Sequence, residues 1–434
     1  MFEGLKKARQ SAQVGAAARA LREACRALMS DRGTANSVKF ATAVIGQYRA
    51  LSPAARAEFF TMLAEDFSPD PQRVLECAQR YAESGSADAQ VRLFHAVEPP
   101  RQELLRRIIR APDGAATVLG MRSDLLGESR HRPELAAVED DFLHLLTSWF
   151  NPGFLNMVRV DWGSPARLLE QIIQHEAVHA IRGWDDLRRR LRGDRRCFAF
   201  LHPALPEDLL IFVEVALLNA MPGAIAPLID AGEVDPHPER ARVAVFYSIS
   251  TCQPGLRGVS LGNSLIKQVC ETLKEEFPNL TRFCTLSPMP RFAAWLRKGA
   301  PFDAARLPRG AGMRVESARE VLRAAYGERL EPPGLAVLEA AAEPGREALL
   351  RLGGAYLLHA RDDDAASDPV AKFHLHNGAS IERINYLANR SQRGIAESCG
   401  LMVNYLYDLR AIERCHEGFV QGRVEASHAV LLGV

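Results

Sequence analysis

The feature that most constrains this chain is a change of texture near Asn151-Pro152-Gly153. Ahead of that point no run of alternating β-branched residues appears, and apolar residues recur with helical spacing. Ala16 to Met29 is rich in Ala, Leu and Arg, and Ser52-Pro53 opens a periodic stretch through Phe59, Phe60, Met62 and Leu63. Proline at a helix-opening position supports that start. Ser68-Pro69-Asp70-Pro71 punctuates, and helices are expected around Val74 to Tyr81, Ala87 to Val97, Arg101 to Ile109 and Glu134 to Phe150. Residues 1–150 therefore read as an all-α bundle, whose expected roles are packing, oligomerisation and support.

Beyond the break, strand-like segments are expected at Phe198 to His202, Leu209 to Leu218, Ala241 to Ser250, Leu280 to Leu286 and Val370 to Leu375. Helical patterns separate them at Arg167 to Ile181, Val259 to Phe277, Arg291 to Arg297 and Ala318 to Tyr326. Interleaved elements of this kind build an α/β domain, here over residues 151–434, and the whole chain is expected to be α+β. The 434-residue length also favours two cores over one. The Arg361-Asp362-Asp363-Asp364 run is expected to be a solvated loop.

Charge narrows the function classes. Fifty-four Lys plus Arg against 53 Asp plus Glu leave a net charge of +1, which argues against a generally basic nucleic-acid binder. No apolar run approaches the roughly 20 residues a spanning helix needs. Eight scattered cysteines without a C-x-x-C pair suggest a reducing compartment, and the closing Leu431-Leu432-Gly433-Val434 is no peroxisomal address, so a cytoplasmic protein is expected.

Three places carry chemistry. His175-Glu176-Ala177-Val178-His179 matches H-E-x-x-H, which on a helix places two imidazoles for zinc with the Glu as base. If the 167–181 segment is one helix, Leu169, Ile172, Ile173, Ala177 and Ala180 form its apolar stripe. His175 and His179 then fall in the polar sector, and Arg182 and Asp185 stand where a metzincin needs Gly and His, so two exposed or hydrogen-bonding histidines and no metal are expected.

The second place is residues 241–286, where a strand runs through a glycine-bearing loop into a helix and on to another strand. Unpaired N–H groups and the positive end of the helix dipole suit a pyrophosphate. Arg257-Gly258-Val259-Ser260-Leu261-Gly262 resembles the acyl-CoA loop of N-acetyltransferase folds, with Ser260 for the first Gly; a loop with only a packing role is the alternative. The next strand ends at Ser287-Pro288, either a turn initiator or a hydroxyl at the mouth of a cleft. Third, Phe373-His374-Leu375-His376 alternates, which as a strand puts both histidines on one face; one imidazole serves as acid or base, or both are structural.

These clusters occur in one order in a family this chain resembles, malonyl-CoA decarboxylase. The resemblance runs from about Gly153 to Asp408 and includes Phe154-Leu155-Asn156, Glu176-Ala177-Val178-His179, Arg195-Arg196-Cys197 and Phe246-Tyr247-Ser248-Ile249-Ser250. It continues through Arg257 to Asn263, Leu286-Ser287-Pro288-Met289-Pro290, Phe373-His374-Leu375, Asn377-Gly378-Ala379 and Ser398 to Tyr405. It implies a helical N-terminal domain and a C-terminal domain of acetyltransferase-like fold with a mixed sheet. It also implies that Arg257, Gly258, Val259, Ser260, Leu261, Gly262 and Asn263 bind the CoA part of the substrate, with Ser287 and His374 on the malonyl group. Ser287 and His374 take the places of the family's catalytic Ser and His, and Tyr407 that of a further active-site Tyr. Ser260 stands where other members are expected to carry Glu.

The implied reaction converts malonyl-CoA to acetyl-CoA and CO2 without metal or cofactor. Loss of CO2 leaves a thioester enolate, which needs an anchored CoA, donors to the developing oxyanion and a proton for the α-carbon. Backbone N–H groups near a break in the 243–250 strand are expected as the donors. His374 is expected as the acid, with an ordinary pKa of about 6.5, and Ser287 as a non-covalent hydrogen-bonding partner. A homo-oligomer, dimer or tetramer, is expected, with no nucleic-acid or membrane partner. The rival readings are an acyl-CoA-dependent acyltransferase, a non-catalytic acyl-CoA sensor and, last, a zinc hydrolase.

Overall fold

The computed structural model describes residues 2–230, 232, 235, 237–259, 261–302, 310–327, 330–359 and 368–433. It divides into two compact units. One comprises Met1–Leu155, His202–Asp208 and Gln253–Ser260; the other comprises Asn156–Leu201, Leu209–Cys252 and Leu261–Val434. The Arg361–Asp364 run lies outside the described residues. Among the described residues no helix is long and apolar enough to cross a membrane.

The first unit is helical. Its longer helices are Phe2–Met29, Ser37–Arg49, Pro53–Asp66, Pro71–Ser84, Ala87–Val97, Pro100–Ile109, Gly114–Glu128 and Ala136–Trp149. The starts follow the expected chemistry: the side chains of Ser52, Asp70 and Ser86 accept from Ala55, Gln72 and Ala89 N–H. Val44, Phe59, Phe60, Leu63, Leu104, Ile108, Val118 and Phe142 form a closed interior. Two helices had no expectation attached. Gly114–Glu128 buries polar Thr117 and Arg122 in one broad face with Val118, Leu119, Met121 and Leu125, so its apolar residues alone trace no clear helical period.

The second unit is built on an eight-stranded mixed sheet. Its strands are β1 Asn156–Val160, β2 Arg195–Leu201, β3 Ile211–Leu218, β4 Val243–Thr251, β5 Arg282–Thr285, β6 Ser287–Pro288, β7 Ser380–Asn385 and β8 Met402–Tyr407. They lie in the order β1-β2-β3-β4-β5-β8-β6, with β7 on β8. Every pairing is antiparallel except β4 with β5, which the Gly262–Glu276 helix connects as a crossover. β2, β3 and β4 are buried almost throughout, as central strands covered on both faces should be. On one side Leu169, Ile172 and Leu187 from two helices pack with Cys197, Ala199 and Phe212.

Two features of this sheet prepare a site. β4 pairs with β5 only from Val243 to Phe246, and the Leu286 N–H then closes on the Phe246 carbonyl at 3.1 Å. Beyond that point β4 continues with β3 as its partner while β6 turns to β8, so the two strands part at their C-terminal ends. The β3–β4 register also slips at Glu214/Val215, leaving Tyr247 without a cross-strand partner, a bulge that bends the strand.

Two expected elements are corrected. Residues 370–375 are not a strand: Pro369–His376 is a helix. The Asp368 side chain accepts from Val370 and Ala371 N–H, and Pro369 sets the first turn, which outweighs a four-residue alternation. Asn377-Gly378 ends that helix, with Gly378 at φ +78°. The helix expected over 167–181 stops at His175. Glu176 is extended because its carboxylate accepts from the N–H groups of Val178 and His179, a local alternative to helical bonds.

Candidate active site

Ser287 opens β6, separated from the end of β5 by Leu286 alone, and its placement comes from the pairing with β8. Cys284 faces Leu406 and Ser287 faces Val403 in one continuous register. Between them the ladder is broken, and Thr285 fills the gap with its side chain. Thr285 Oγ1 accepts the Tyr405 N–H at 3.1 Å, while Asn404 Nδ2 donates to the Thr285 carbonyl at 2.8 Å. The strand thereby turns Thr285 and Ser287 to the same side, and Ser287 Oγ donates to Thr285 Oγ1 at 2.9 Å.

His374 reaches the same place from the last turn of the Pro369–His376 helix. That helix is fixed at its start by Asp368, whose second oxygen accepts from Tyr356 OH at 3.2 Å and from Arg291 N–H at 3.4 Å. Arg291 is four residues beyond Ser287, so one buried carboxylate ties together the segments bearing Ser287 and His374. His374 Nε2 lies 2.9 Å from Ser287 Oγ, and its Nδ1 lies 2.8 Å from Tyr407 OH. The imidazole stacks on Tyr405, with ring centres 4.7 Å apart, and Tyr407 in turn meets Phe246 edge-on.

The result is a hydrogen-bonded line, Thr285–Ser287–His374–Tyr407, closed off from water. Ser287 is 6%, His374 4% and Tyr407 2% exposed, and Thr285 is wholly buried. Burial penalises charge, so His374 is pushed down to about 3 and Tyr407 well above an ordinary phenol. This corrects the expectation of an imidazole with a pKa near 6.5: His374 is neutral at physiological pH. The Ser287–Thr285 bond favours one arrangement of protons along the line. Ser287 has one hydroxyl proton, and it points to Thr285. With that proton on Thr285, the Ser287–His374 bond is donated by Nε2–H and Nδ1 accepts from Tyr407 O–H; the other imidazole tautomer would reverse both bonds.

Sequence reasoning found Ser287, His374 and Tyr407, which the structure brings together; it missed Thr285 and Tyr405. Their only signal is a position two residues from an expected site residue in a strand, which shares its face. The loop expected to hold CoA is divided. Gln253–Ser260 groups with the helical unit, whereas Leu261 is buried in the other unit and Gly262 and Asn263 open the Gly262–Glu276 helix. Ser260 lies outside the described residues. Within the helical unit Arg122 Nη1 donates to the Gly255 carbonyl at 2.6 Å, and a Cβ on Gly255 would stand 2.2 Å from the Leu119 carbonyl oxygen. Only glycine fits there. Gly258, at φ +82°, likewise needs its conformational freedom, and Arg257 beside it is exposed.

The H-E-x-x-H residues lie elsewhere in the sheet unit and do not share a helix. Glu176 accepts from Ser248 Oγ with both oxygens, at 2.8 and 2.7 Å, besides the two N–H groups already named. His179 is buried, hydrogen-bonded to the Tyr247 backbone and pushed down to about 3, first by burial and then by Arg190 and Arg393. The expected polar, outward-facing sector is thus replaced by an internal network. Arg190 completes it, donating to Glu214 at 2.8 Å and to the His179 carbonyl at 2.7 Å. Among the described residues no three His, Cys, Asp or Glu side chains gather as metal ligands do.

Comparison with known proteins follows the same division. The malonyl-CoA decarboxylase C-terminal domain family matches residues 153–432, and the corresponding N-terminal domain family matches residues 67–150. The mitochondrial malonyl-CoA decarboxylase of Anser anser anser is 34% identical over 388 residues, covering 83% of this chain and 76% of the goose protein. That of Rattus norvegicus is 34% identical over 384 residues, covering 83% and 78%. Among solved structures, malonyl-CoA decarboxylase from Rhodopseudomonas palustris superposes with a TM-score of 0.82 at 42% identity, covering 96% of this chain and 99% of the other. The Agrobacterium vitis enzyme gives 0.81 at 41% identity, covering 95% and 99%.

Proposed function

Because this chain belongs to the malonyl-CoA decarboxylase family, we propose that it converts malonyl-CoA to acetyl-CoA and CO2 through the buried line of Ser287, His374 and Tyr407. The observation that carries the reading is the pair of bonds on one neutral imidazole, 2.9 Å to Ser287 and 2.8 Å to Tyr407.

In this reading the Arg257–Asn263 segment anchors CoA, so that binding energy far from the chemistry positions the malonyl group. Backbone N–H groups at the β4 bulge meet the thioester oxygen as the C–CO2 bond breaks, and no metal or cofactor enters. The enolate left behind is far more basic than a phenolate. The Ser287 proton passes to its α-carbon, the His374 Nε2 proton to Ser287, and the Tyr407 proton to Nδ1. Solvent that enters as acetyl-CoA leaves then protonates the line at its Ser287 end, and the shifts reverse, Nδ1 returning its proton to Tyr407 and Nε2 regaining one, which accounts for the one proton each turnover consumes. A neutral, buried histidine suits this relay because it passes a proton without ever holding a net charge in an apolar site. The reading extends to a cytoplasmic homo-oligomer, dimer or tetramer, with the helical region in the supporting role.

The test is to incubate purified protein with malonyl-CoA and follow acetyl-CoA and CO2 by mass spectrometry. Conversion that is lost in both Ser287→Ala and His374→Ala supports the reading. Full activity in the double variant would overturn the assignment of the residues.

A further inference from the structure

Serine beside histidine is the usual arrangement of an esterase, and a CoA thioester is an easy ester to hydrolyse. For that chemistry the serine proton must point at an imidazole nitrogen that is free to accept it. Here it does not. Ser287 Oγ donates to Thr285 Oγ1 at 2.9 Å, so its single proton is engaged there and the His374 nitrogen 2.9 Å away is left to act as donor. Thr285 takes this role through an irregularity of the sheet. Its hydroxyl, not its carbonyl, receives the Tyr405 N–H, and its carbonyl is engaged by Asn404. The hydroxyl is therefore held in one place, wholly buried, with its oxygen presented to Ser287.

Resting on the decarboxylase reading above, we infer that Thr285 is a positioning residue that parks the Ser287 proton away from His374 and so withholds the pair from thioester hydrolysis. The step withheld is attack of Ser287 Oγ on the thioester carbonyl. It would form the serine ester and break the C–S bond, with the serine proton passing to His374 Nε2 and on to the CoA thiolate; water would then release the acid. During decarboxylation the same hydroxyl need only swing from Thr285 to the nascent carbanion. Thr285 thus separates two outcomes for one substrate, acetyl-CoA or free CoA.

Full-length wild type, Thr285→Val and Thr285→Ser distinguish the cases. Valine keeps the shape of threonine but cannot accept a proton, and serine keeps the acceptor. Three readings are taken: the His374 tautomer by nitrogen-15 NMR of the resting protein, phosphonylation of Ser287 by a fluorophosphonate, and thiol release from acetyl-CoA. Wild type and Thr285→Ser should hold the proton on Nε2, label slowly and release no thiol above background. Thr285→Val should move the proton to Nδ1 and label Ser287 at least about tenfold faster. It should also release CoA, and Ser287→Ala in the same chain should abolish both labelling and release. A wild-type proton on Nδ1, or wild-type labelling as fast as Thr285→Val, overturns the inference even if Thr285→Val folds poorly. The tautomer is read without turnover. An Nε2 proton together with full decarboxylation by Ser287→Ala would instead refute the catalytic reading and leave the role of Thr285 standing.

Discussion

Tyr407→Phe removes a single oxygen, and the structure says what each consequence should weigh. The ring keeps its edge contact with Phe246, so packing is nearly unchanged. What is lost is the hydrogen bond to His374 Nδ1 at 2.8 Å, between two side chains buried from solvent. An unsatisfied buried acceptor costs roughly 1–3 kcal/mol of stability. Catalysis should suffer more, because the relay loses the group that supplies its last proton. Positioned acid–base groups contribute about 10²–10⁴ in rate, and kcat should fall within that range, about 3–5 kcal/mol of barrier. If the line works as a unit, Ser287→Ala should fall comparably, and the double variant should lie within about threefold of the worse single one. The assay is acetyl-CoA formation at saturating malonyl-CoA, with urea unfolding measured in parallel. A Tyr407→Phe enzyme keeping more than about a third of its kcat, or a double variant whose losses multiply, would refute the relay.

Further consequences concern acid and the loop. Because His374 is neutral down to about 3 and the relay uses the neutral ring, kcat should show no inflection near 6.5; one there would mean that the imidazolium takes part. Stability behaves differently. His179 and His374 both have folded pKa values pushed below the unfolded 6.5, so their contribution is complete above 6.5 and is lost as pH falls toward 3. Between pH 6.5 and 5 each should cost about 2 kcal/mol, seen as a falling urea midpoint that His179→Gln makes shallower. In the loop, Gly255→Ala forces a methyl group to within 2.2 Å of the Leu119 carbonyl oxygen. KM for malonyl-CoA should rise roughly tenfold with kcat nearly unchanged; the reverse pattern would remove this loop from CoA binding.

What could be read from the sequence was what depends on neighbours in the chain. Ser52-Pro53 and Asp70-Pro71 announce helices because the cap and the proline act within one turn. Asp368-Pro369 carries the same signal, but the alternation of Phe373, His374 and Leu375 was given more weight, and the helix was read as a strand. β8 is not among the expected strands, although its residues enter the family resemblance and it holds the site together. Its residues Asn404, Tyr405 and Tyr407 matter only through partners at Thr285 and His374, and no local pattern specifies a register across such separations. The same distance explains Ser287. From its neighbours it is a turn residue before proline; its burial against His374 is a property of the sheet. The helix expected through Ile181 failed on a similar point, since Glu176 finds Ser248 on β4 and gives up the helix.

The allotment of Gln253–Ser260 to the helical unit bears on how this protein is made. On the ribosome the last helix of that unit, Ala136–Trp149, emerges more than a hundred residues before the segment that caps Arg122 with the Gly255 carbonyl. Until then the guanidinium group lacks that acceptor, and four strands of the sheet have already been synthesised. Domains that occupy one stretch of chain can mature in order of synthesis, the first before the second. This one cannot: its first unit must wait for the middle of the second. A fragment ending near residue 155 is therefore an unfinished product, and exchanging the two halves between relatives at that junction would part a helical core from the piece that completes it.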